Sequence, residues 1–316
     1  MKFWNTIILK WLESLLEENI MAKIVEVKRL QKKFGKFQAL KDVTFDVNEG
    51  EVLGYVGPNG AGKSTTIRAL LGIIKASGGS AKIFGKDVWN DSIEIHKNIA
   101  YVPGDVYLWP NLSGGEIIDM FLHMHGSFDA ARRDELIKKF EFDPKKKARS
   151  YSKGNRQKVA LIAALASNAE LYIFDEPTSG LDPLMEAVFQ NEVMRIKAEG
   201  KAILLSSHIL SEVERLCDKI AIIAAGEIVE YGSLEEMRHL TRYEFKVETK
   251  KPAVGLERLN AVHNLKFDSN KATFQADSDK VQEILAVLTE YDVVKIDSNP
   301  QTLEELFMHH YTQGRG

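Results

Sequence analysis

Gly57-Pro58-Asn59-Gly60-Ala61-Gly62-Lys63-Ser64 is the stretch on which the reading of this chain turns. A glycine, four residues and then Gly-Lys-Ser is the pattern of a phosphate-cradling loop. The run 51–56 before it predicts a short strand. The run 65–74 after it, apolar at Ile67, Leu70, Leu71 and Ile74, predicts a helix. Strand, glycine turn and helix in this order aim successive backbone N–H groups and the positive end of the helix at one spot, which suits a polyphosphate. Gly57, Gly60 and Gly62 carry no Cβ to hold the backbone away from phosphate oxygens. Lys63 can reach the β- and γ-phosphates, and the Ser64 hydroxyl can ligate Mg²⁺.

At 316 residues, 44% of them hydrophobic and 28% charged, the chain suits about two globular domains. A formal net charge of −3 gives no global pull toward nucleic acid, and none is expected as a partner. Cys217 is the one cysteine, which rules out an internal disulfide or a thiolate metal site and suits a reducing compartment. No apolar run approaches the ~20 residues of a membrane-spanning helix, so the chain by itself is expected to be soluble. Residues 1–20 place Phe3, Trp4, Ile7, Ile8, Trp11, Leu12, Leu15 and Leu16 at helical spacing. Two readings stand: an amphipathic helix that lies on a membrane or a partner, or a non-native extension ahead of a start at Met21.

Strand patterns recur at 24–27, 43–47, 81–84 and 99–102, with Ser77-Gly78-Gly79-Ser80 as a turn. Phe34, in the loop Lys33-Phe34-Gly35-Lys36, either stacks on a purine or fills a core. Asp105-Val106-Tyr107-Leu108-Trp109-Pro110 is an aromatic loop, and 116–141 is helical in pattern. Lys145-Lys146-Lys147-Ala148-Arg149 reads as a solvated basic face. Then Tyr151-Ser152-Lys153-Gly154-Asn155-Arg156-Gln157-Lys158 leads into a helix. Ser152 is a good N-cap, and the helix start is a second anion site. Leu171-Tyr172-Ile173-Phe174 reads as a buried central strand that delivers Asp175 and Glu176 at its tip, where α/β sheets bind ligands. Asp175 suits Mg²⁺, and Glu176 suits a base that orients water. A helix follows at 184–198. The next parallel strand, 201–206, brings His208 to the same edge. Strands at 220–224 and 227–230 and a helix at 234–240 close this part. Beyond Arg242, strands at 243–247, 272–276 and 293–296 and helices at 281–288 and 302–308 suggest a small α+β domain.

These clusters, in this order, resemble the nucleotide-binding subunit of ATP-binding cassette (ABC) transporters over residues 22–235. The resemblance implies an α/β fold: a P-loop NTPase cassette with a mixed β-sheet core and a helical signature subdomain, spanning 22–240. A small C-terminal α+β domain over 241–316 would follow. It implies ATP and Mg²⁺ as cofactors. Gly57 to Ser64, with Thr65 following, would be the Walker A loop, and the strand ending at Asp175 the Walker B strand, with Glu176 the catalytic carboxylate. His208 would be the switch histidine at the γ-phosphate, Phe34 the adenine-stacking aromatic, and Ser179 to Asp182 the loop that contacts the opposite subunit. The signature is placed at residues 151–158, with Ser152 and Gly154 as γ-phosphate contacts. Leu112-Ser113-Gly114-Gly115-Glu116 looks similar by letters, but it comes too early and Ser113 with Glu116 makes a helix capping box.

Two residues depart from the family pattern: Gly104 stands where a glutamine is usual, and Lys153 where glycine is common. The implied mechanism is a head-to-tail pair of copies with ATP between them, driving a polytopic membrane permease at the inner face of the membrane. Tyr107, Leu108 and Trp109 are expected to form part of the docking surface. A lone cassette with this tail resembles bacterial antibiotic and multidrug exporters. A soluble ABC-type ATPase acting on a non-membrane partner is the alternative.

Overall fold

Two long alternating runs at the start of the chain zip into a hairpin, β1 (Lys23–Phe34) and β2 (Phe37–Asn48), in the computed structural model, which describes residues 22–126, 129–234, 236, 243–277 and 280–300. The strand at 24–27 is therefore longer than its apolar core, because hairpin pairing carries it outward to Phe34. Of the turn expected at Ser77-Gly78-Gly79-Ser80, the last three residues belong to β4 (Gly78–Ile83), which pairs antiparallel with β1 from Val25↔Ile83 to Gln31↔Gly78. Between them in sequence lie the fully buried β3 (Val52–Val56) and helix α1 (Lys63–Leu70). The chain then continues through β5 (Lys86–Asp87), α2 (Ser92–His96) and β6 (Ile99–Val102).

The helical stretch expected at 116–141 is two helices, α3 (Gly114–His125) and α4 (Ala130–Lys139). Gly126 ends α3 in a left-handed conformation, and the Asp129 carboxylate accepts from Ala131 N–H and Arg132 N–H to start α4. Both are local signals that outrank continuous apolar spacing. After α5 (Lys153–Ala166) come β7 (Leu171–Asp175), α6 (Pro183–Ala198), β8 (Ala202–Ser207), α7 (Leu210–Leu216), β9 (Lys219–Ala224) and β10 (Glu227–Ser233).

These strands make one ten-stranded sheet in the order β5-β4-β1-β2-β10-β9-β3-β8-β7-β6. Its half from β9 to β6 is parallel wherever β3, β8, β7 and β6 pair, and apolar on both faces, as helix-covered parallel strands must be. Phe174 of β7 meets Phe189 of α6 edge-on at 5.2 Å, which seats that helix on the sheet. Glu192 of α6 is buried and held by Arg132 and Lys139 of α4 and by Arg195 of its own helix, the last two at 3.0 Å. One carboxylate thus ties the helical part to the helix that follows β7.

A second compact unit begins after Tyr231. In it β11 (Tyr243–Thr249), β12 (Val262–Asp268), β13 (Lys271–Ala276) and β14 (Val293–Pro300) form an antiparallel sheet in the order β12-β13-β11-β14, with α8 (Val281–Thr289). Phe245 and Phe274 stack in its core with centroids 5.2 Å apart. Strand β12 was not expected from the sequence: its alternation is broken where the register shifts between His263 and Lys266. The N-terminal stretch 1–20 and the helix expected at 302–308 lie outside the described residues, as does most of the helix expected at 234–240.

Replacing Glu192 by Ala leaves three cations around an apolar void. We expect urea unfolding to show a loss of about 3–5 kcal/mol, with a loss under ~1 kcal/mol showing that the cluster does not hold the helices together.

Candidate functional site

Strand register decides what meets at the carboxyl edge of the sheet. Val56 pairs with Ser207 and Asp175 with Ser206, so the loop after β3, the acids at the end of β7 and the residues after β8 emerge side by side. The loop leaves β3 at Gly57, where a Cβ would fall 2.4 Å from the carbonyl oxygen of Ile223. Close approach of β9, rather than room for a phosphate, is what requires glycine there. Gly62 adopts φ 118° and turns the loop into α1; an L side chain would be strained in that conformation. Gly60 is exposed and also has positive φ.

Lys63, 5% exposed, donates from Nζ to the Gly57 carbonyl at 2.5 Å and to the Pro58 carbonyl at 3.3 Å. Burial pulls its pKa down, opposed by Glu176 and Asp175. Its Nζ lies 3.7 Å from Glu176 Oε1, and His208 Nδ1 lies 3.5 Å from Glu176 Oε2. Lys63, Glu176 and His208, read from three separate stretches, therefore converge. Glu176 itself has φ 49°, an uncommon conformation for a side-chain-bearing residue, and its N–H donates to the Ser206 carbonyl at 2.9 Å. That turn ends β7 and points the carboxylate back toward the loop.

Asp175 is buried, and its Oδ1 has no hydrogen-bond partner among the described residues. Burial raises its carboxyl above the usual range, against the hydroxyls of Ser206 and Ser64. A hard cation held by Asp175 and Ser64 would satisfy the orphaned oxygen and reverse the burial penalty. No cluster of three or more His, Cys, Asp or Glu side chains suited to a metal occurs among the described residues. Such a donor set fits Mg²⁺, which takes one or two protein ligands and completes its shell from phosphates and water.

A cleft of about 630 Å³ opens at this edge, lined by Ser64, Arg68, Tyr101, Asp105, Asp175 and Glu176 among others. Gly104 lines it too, and a Cβ there would lie 3.3 Å from the Asp175 carbonyl, so the missing side chain leaves the space beside the β7 tip open. Lys153 reaches the cleft and donates to Ser179 Oγ at 2.7 Å, but Ser152 and Gly154 are not among its lining residues. Ser152 caps α5 by accepting from Asn155 N–H at 3.3 Å. Gly154 faces the carbonyl of Gly180, which an added Cβ would meet at 2.4 Å. Asp182 caps α6, accepting from Leu184 N–H and Met185 N–H at 3.1 and 3.0 Å. Phe34 is exposed at the hairpin tip, with the Lys32 ammonium 4.9 Å from its ring centroid. The same hairpin passes the loop at Ala39 and Leu40, beside Gly62.

The early Leu112-Ser113-Gly114-Gly115-Glu116 is a complete capping box: Glu116 N–H donates to Ser113 Oγ at 3.2 Å, and Ser113 N–H to Glu116 Oε2 at 2.6 Å. These bonds, with Lys147, hold the Glu116 carboxyl down at about 2. Gly114 is there for packing, since a Cβ would lie 2.3 Å from Phe142 Cζ. Sequence reasoning missed Phe37, an exposed aromatic paired across the hairpin with Phe34, and the buried Tyr55 hydroxyl, 3.0 Å from Thr66 Oγ1. Alternation along the hairpin could have found Phe37. Nothing local signals the second.

Residues 40–179 match the ABC transporter family. An uncharacterized ABC transporter ATP-binding protein of Nostoc sp. is 39% identical over 64% of this chain, and the chain spans only 62% of that relative's length. A second uncharacterized ABC transporter ATP-binding protein, YhcH of Bacillus subtilis, is 30% identical over 91% of this chain and 96% of its own. The probable multidrug ABC transporter ATP-binding protein YbhF of Escherichia coli is 30% identical over 68% of this chain and 38% of its own. Among solved structures, a dimeric post-hydrolysis state of an ATP-binding cassette bound to ADP and Pi is 26% identical, with TM-score 0.61 over 66% of this chain and 98% of that one.

Ser113→Ala removes a helix cap worth about 1 kcal/mol and should lower the melting temperature by ~2–4 °C. Affinity for a fluorescent ATP analogue should stay at the wild-type value; a fall in affinity would make residues 112–116 a nucleotide contact after all.

Proposed function

Because the chain belongs to the ATP-binding proteins of ABC transporters, a family of ATPases, we propose that two copies clasp MgATP between them, hydrolyse it and thereby drive a separate polytopic membrane permease. The observation that carries this reading is the convergence of Lys63, Asp175, Glu176 and His208 at one sheet edge, while Ser152 and Gly154 stand outside the cleft. Neither copy completes a nucleotide pocket alone.

In this reading the backbone N–H groups of residues 59–64 and the Lys63 ammonium hold the phosphates, with Thr65 beside them. Phe34 stacks on adenine. Asp175 and Ser64 would hold Mg²⁺, and the ion would supply positive charge beside the phosphates. Glu176 orients the attacking water and takes its proton, and His208 contacts the γ-phosphate from the other side of that carboxylate. Ser152, Gly154 and Asp182 act across the interface on the nucleotide of the second copy. Hydrolysis replaces one bridging triphosphate by two anions, ADP and phosphate, which repel each other and no longer tie the copies together, so the copies part.

The permease docks on the aromatic loop. Tyr107 is 88% exposed, and Tyr107 and Leu108 line an apolar groove of about 310 Å³ together with Phe121 and His125. Trp109 packs on Phe121 at 6.0 Å and braces the loop. No helix among the described residues is long and apolar enough to cross a membrane; family membership is what puts the membrane path in the partner and this subunit at its cytoplasmic face in this reading. Export is favoured by the multidrug-type relative and by the C-terminal unit, read as a small accessory domain.

Glu176→Gln with saturating MgATP should elute as a dimer in light-scattering chromatography and turn over ATP at least ~100-fold more slowly; a monomer under these conditions would falsify the shared-pocket reading. Combined Ala substitution of Tyr107, Leu108 and Trp109 should uncouple transport in membranes containing the permease and leave ATPase activity of the purified subunit within about twofold. Unchanged transport would remove the loop from the docking surface.

A further inference from the structure

Behind His208 lies a buried polar cluster that the roles above leave unused. Ser207, the last residue of β8, and Glu212, in the first turn of α7, are 2% and 4% exposed. Ser207 Oγ donates to Glu212 Oε2 at 2.7 Å and accepts from Ile209 N–H at 3.0 Å. These two bonds fix the residues on either side of His208. The other carboxylate oxygen, Glu212 Oε1, is buried with no hydrogen-bond partner among the described residues. Burial raises this carboxyl above its ordinary range, against the hydroxyls of Ser207 and Thr178. Thr178 is itself buried, two residues beyond Glu176.

The helix that carries Glu212 is fixed on the strand feeding the phosphate loop. Val213 sits so close to Gly54 of β3 that a Cβ there would lie 2.6 Å from Val213 Cγ1. Glu212 is therefore a carboxylate on a rigid support, kept in a site that disfavours its charge. It stands between the loop that begins at Glu176 and the loop that carries His208. Buried, half-satisfied carboxylates are costly and need a reason.

We propose that Glu212 is a positioning residue for hydrolysis: by holding the Ser207 hydroxyl, which in turn accepts from Ile209 N–H across His208, it keeps that imidazole beside Glu176 without touching nucleotide. The inference rests on the hydrolytic reading above, and its test separates the two. In the full chain with MgATP, Glu212→Ala should lower kcat about tenfold or more while KM stays within about threefold. Glu212→Gln, whose amide oxygen still accepts the Ser207 hydroxyl, should keep kcat within about threefold of wild type. The decisive readout is a double-mutant cycle. In a His208→Ala background, Glu212→Ala should cost less than about a further twofold, because its route to the reaction is gone. Ser207→Ala should behave the same way and serves if Glu212→Ala does not fold. Equal losses with and without His208, or a Gln variant as slow as the Ala variant, would overturn the proposal and leave Glu212 a structural carboxylate. Wild-type protein without turnover, or an undiminished Glu176→Gln variant, would instead remove the hydrolytic reading, and this one with it.

Discussion

Because β3, β7 and β8 pair in parallel with Val56 opposite Ser207 and Asp175 opposite Ser206, three chain segments distant in sequence leave the sheet along one line. Parallel pairing needs long crossovers, and here the crossovers are helices that cover both faces of the sheet. The strands are consequently apolar throughout, and polar chemistry is pushed to their ends. Slipping one strand by a residue would turn its side chains to the other face and move Asp175 or Ser207 off this line.

Concentrating charge on that line has an electrostatic cost that the residues share. Lys63 and Asp175 are both nearly inaccessible, and burial pushes each toward its neutral form. Glu176 lies near Lys63 and His208, so the edge is held by opposed charges rather than by packing alone. A polyphosphate with its metal brings both an anion for Lys63 and a cation for Asp175, so the charges that strain the edge are the ones a ligand would satisfy.

Specific polar and backbone contacts tie the helical part to the elements that follow β7. Glu192 fastens α4 to α6, and Lys153 with Ser179 and Gly154 with Gly180 bring the start of α5 against the loop that follows Glu176. A shift at that loop therefore bears directly on α5, which gives the two proposed halves of a shared pocket a mechanical connection within each copy.

The phosphate loop, the buried strand ending in two acids and the N-caps at Ser113 and Ser152 were legible because each is a local pattern of spacing and side-chain chemistry. Gly57 was legible as a loop glycine, but its reason was not: the atom it avoids belongs to Ile223, far along the chain. The same holds for Glu212, which in sequence is one acid among mixed residues after His208 and in the fold is a buried group behind it. Strand β12 and the break between α3 and α4 were missed for opposite reasons, an irregular register hiding alternation and continuous apolar spacing hiding a glycine stop. The sequence by itself determined the segments that bind phosphate and carry acids, since loop geometry and capping depend on near neighbours. Only the tertiary structure decided which of those segments share an edge and which residues stand behind them, because register and close approach are set by strands that meet across long separations.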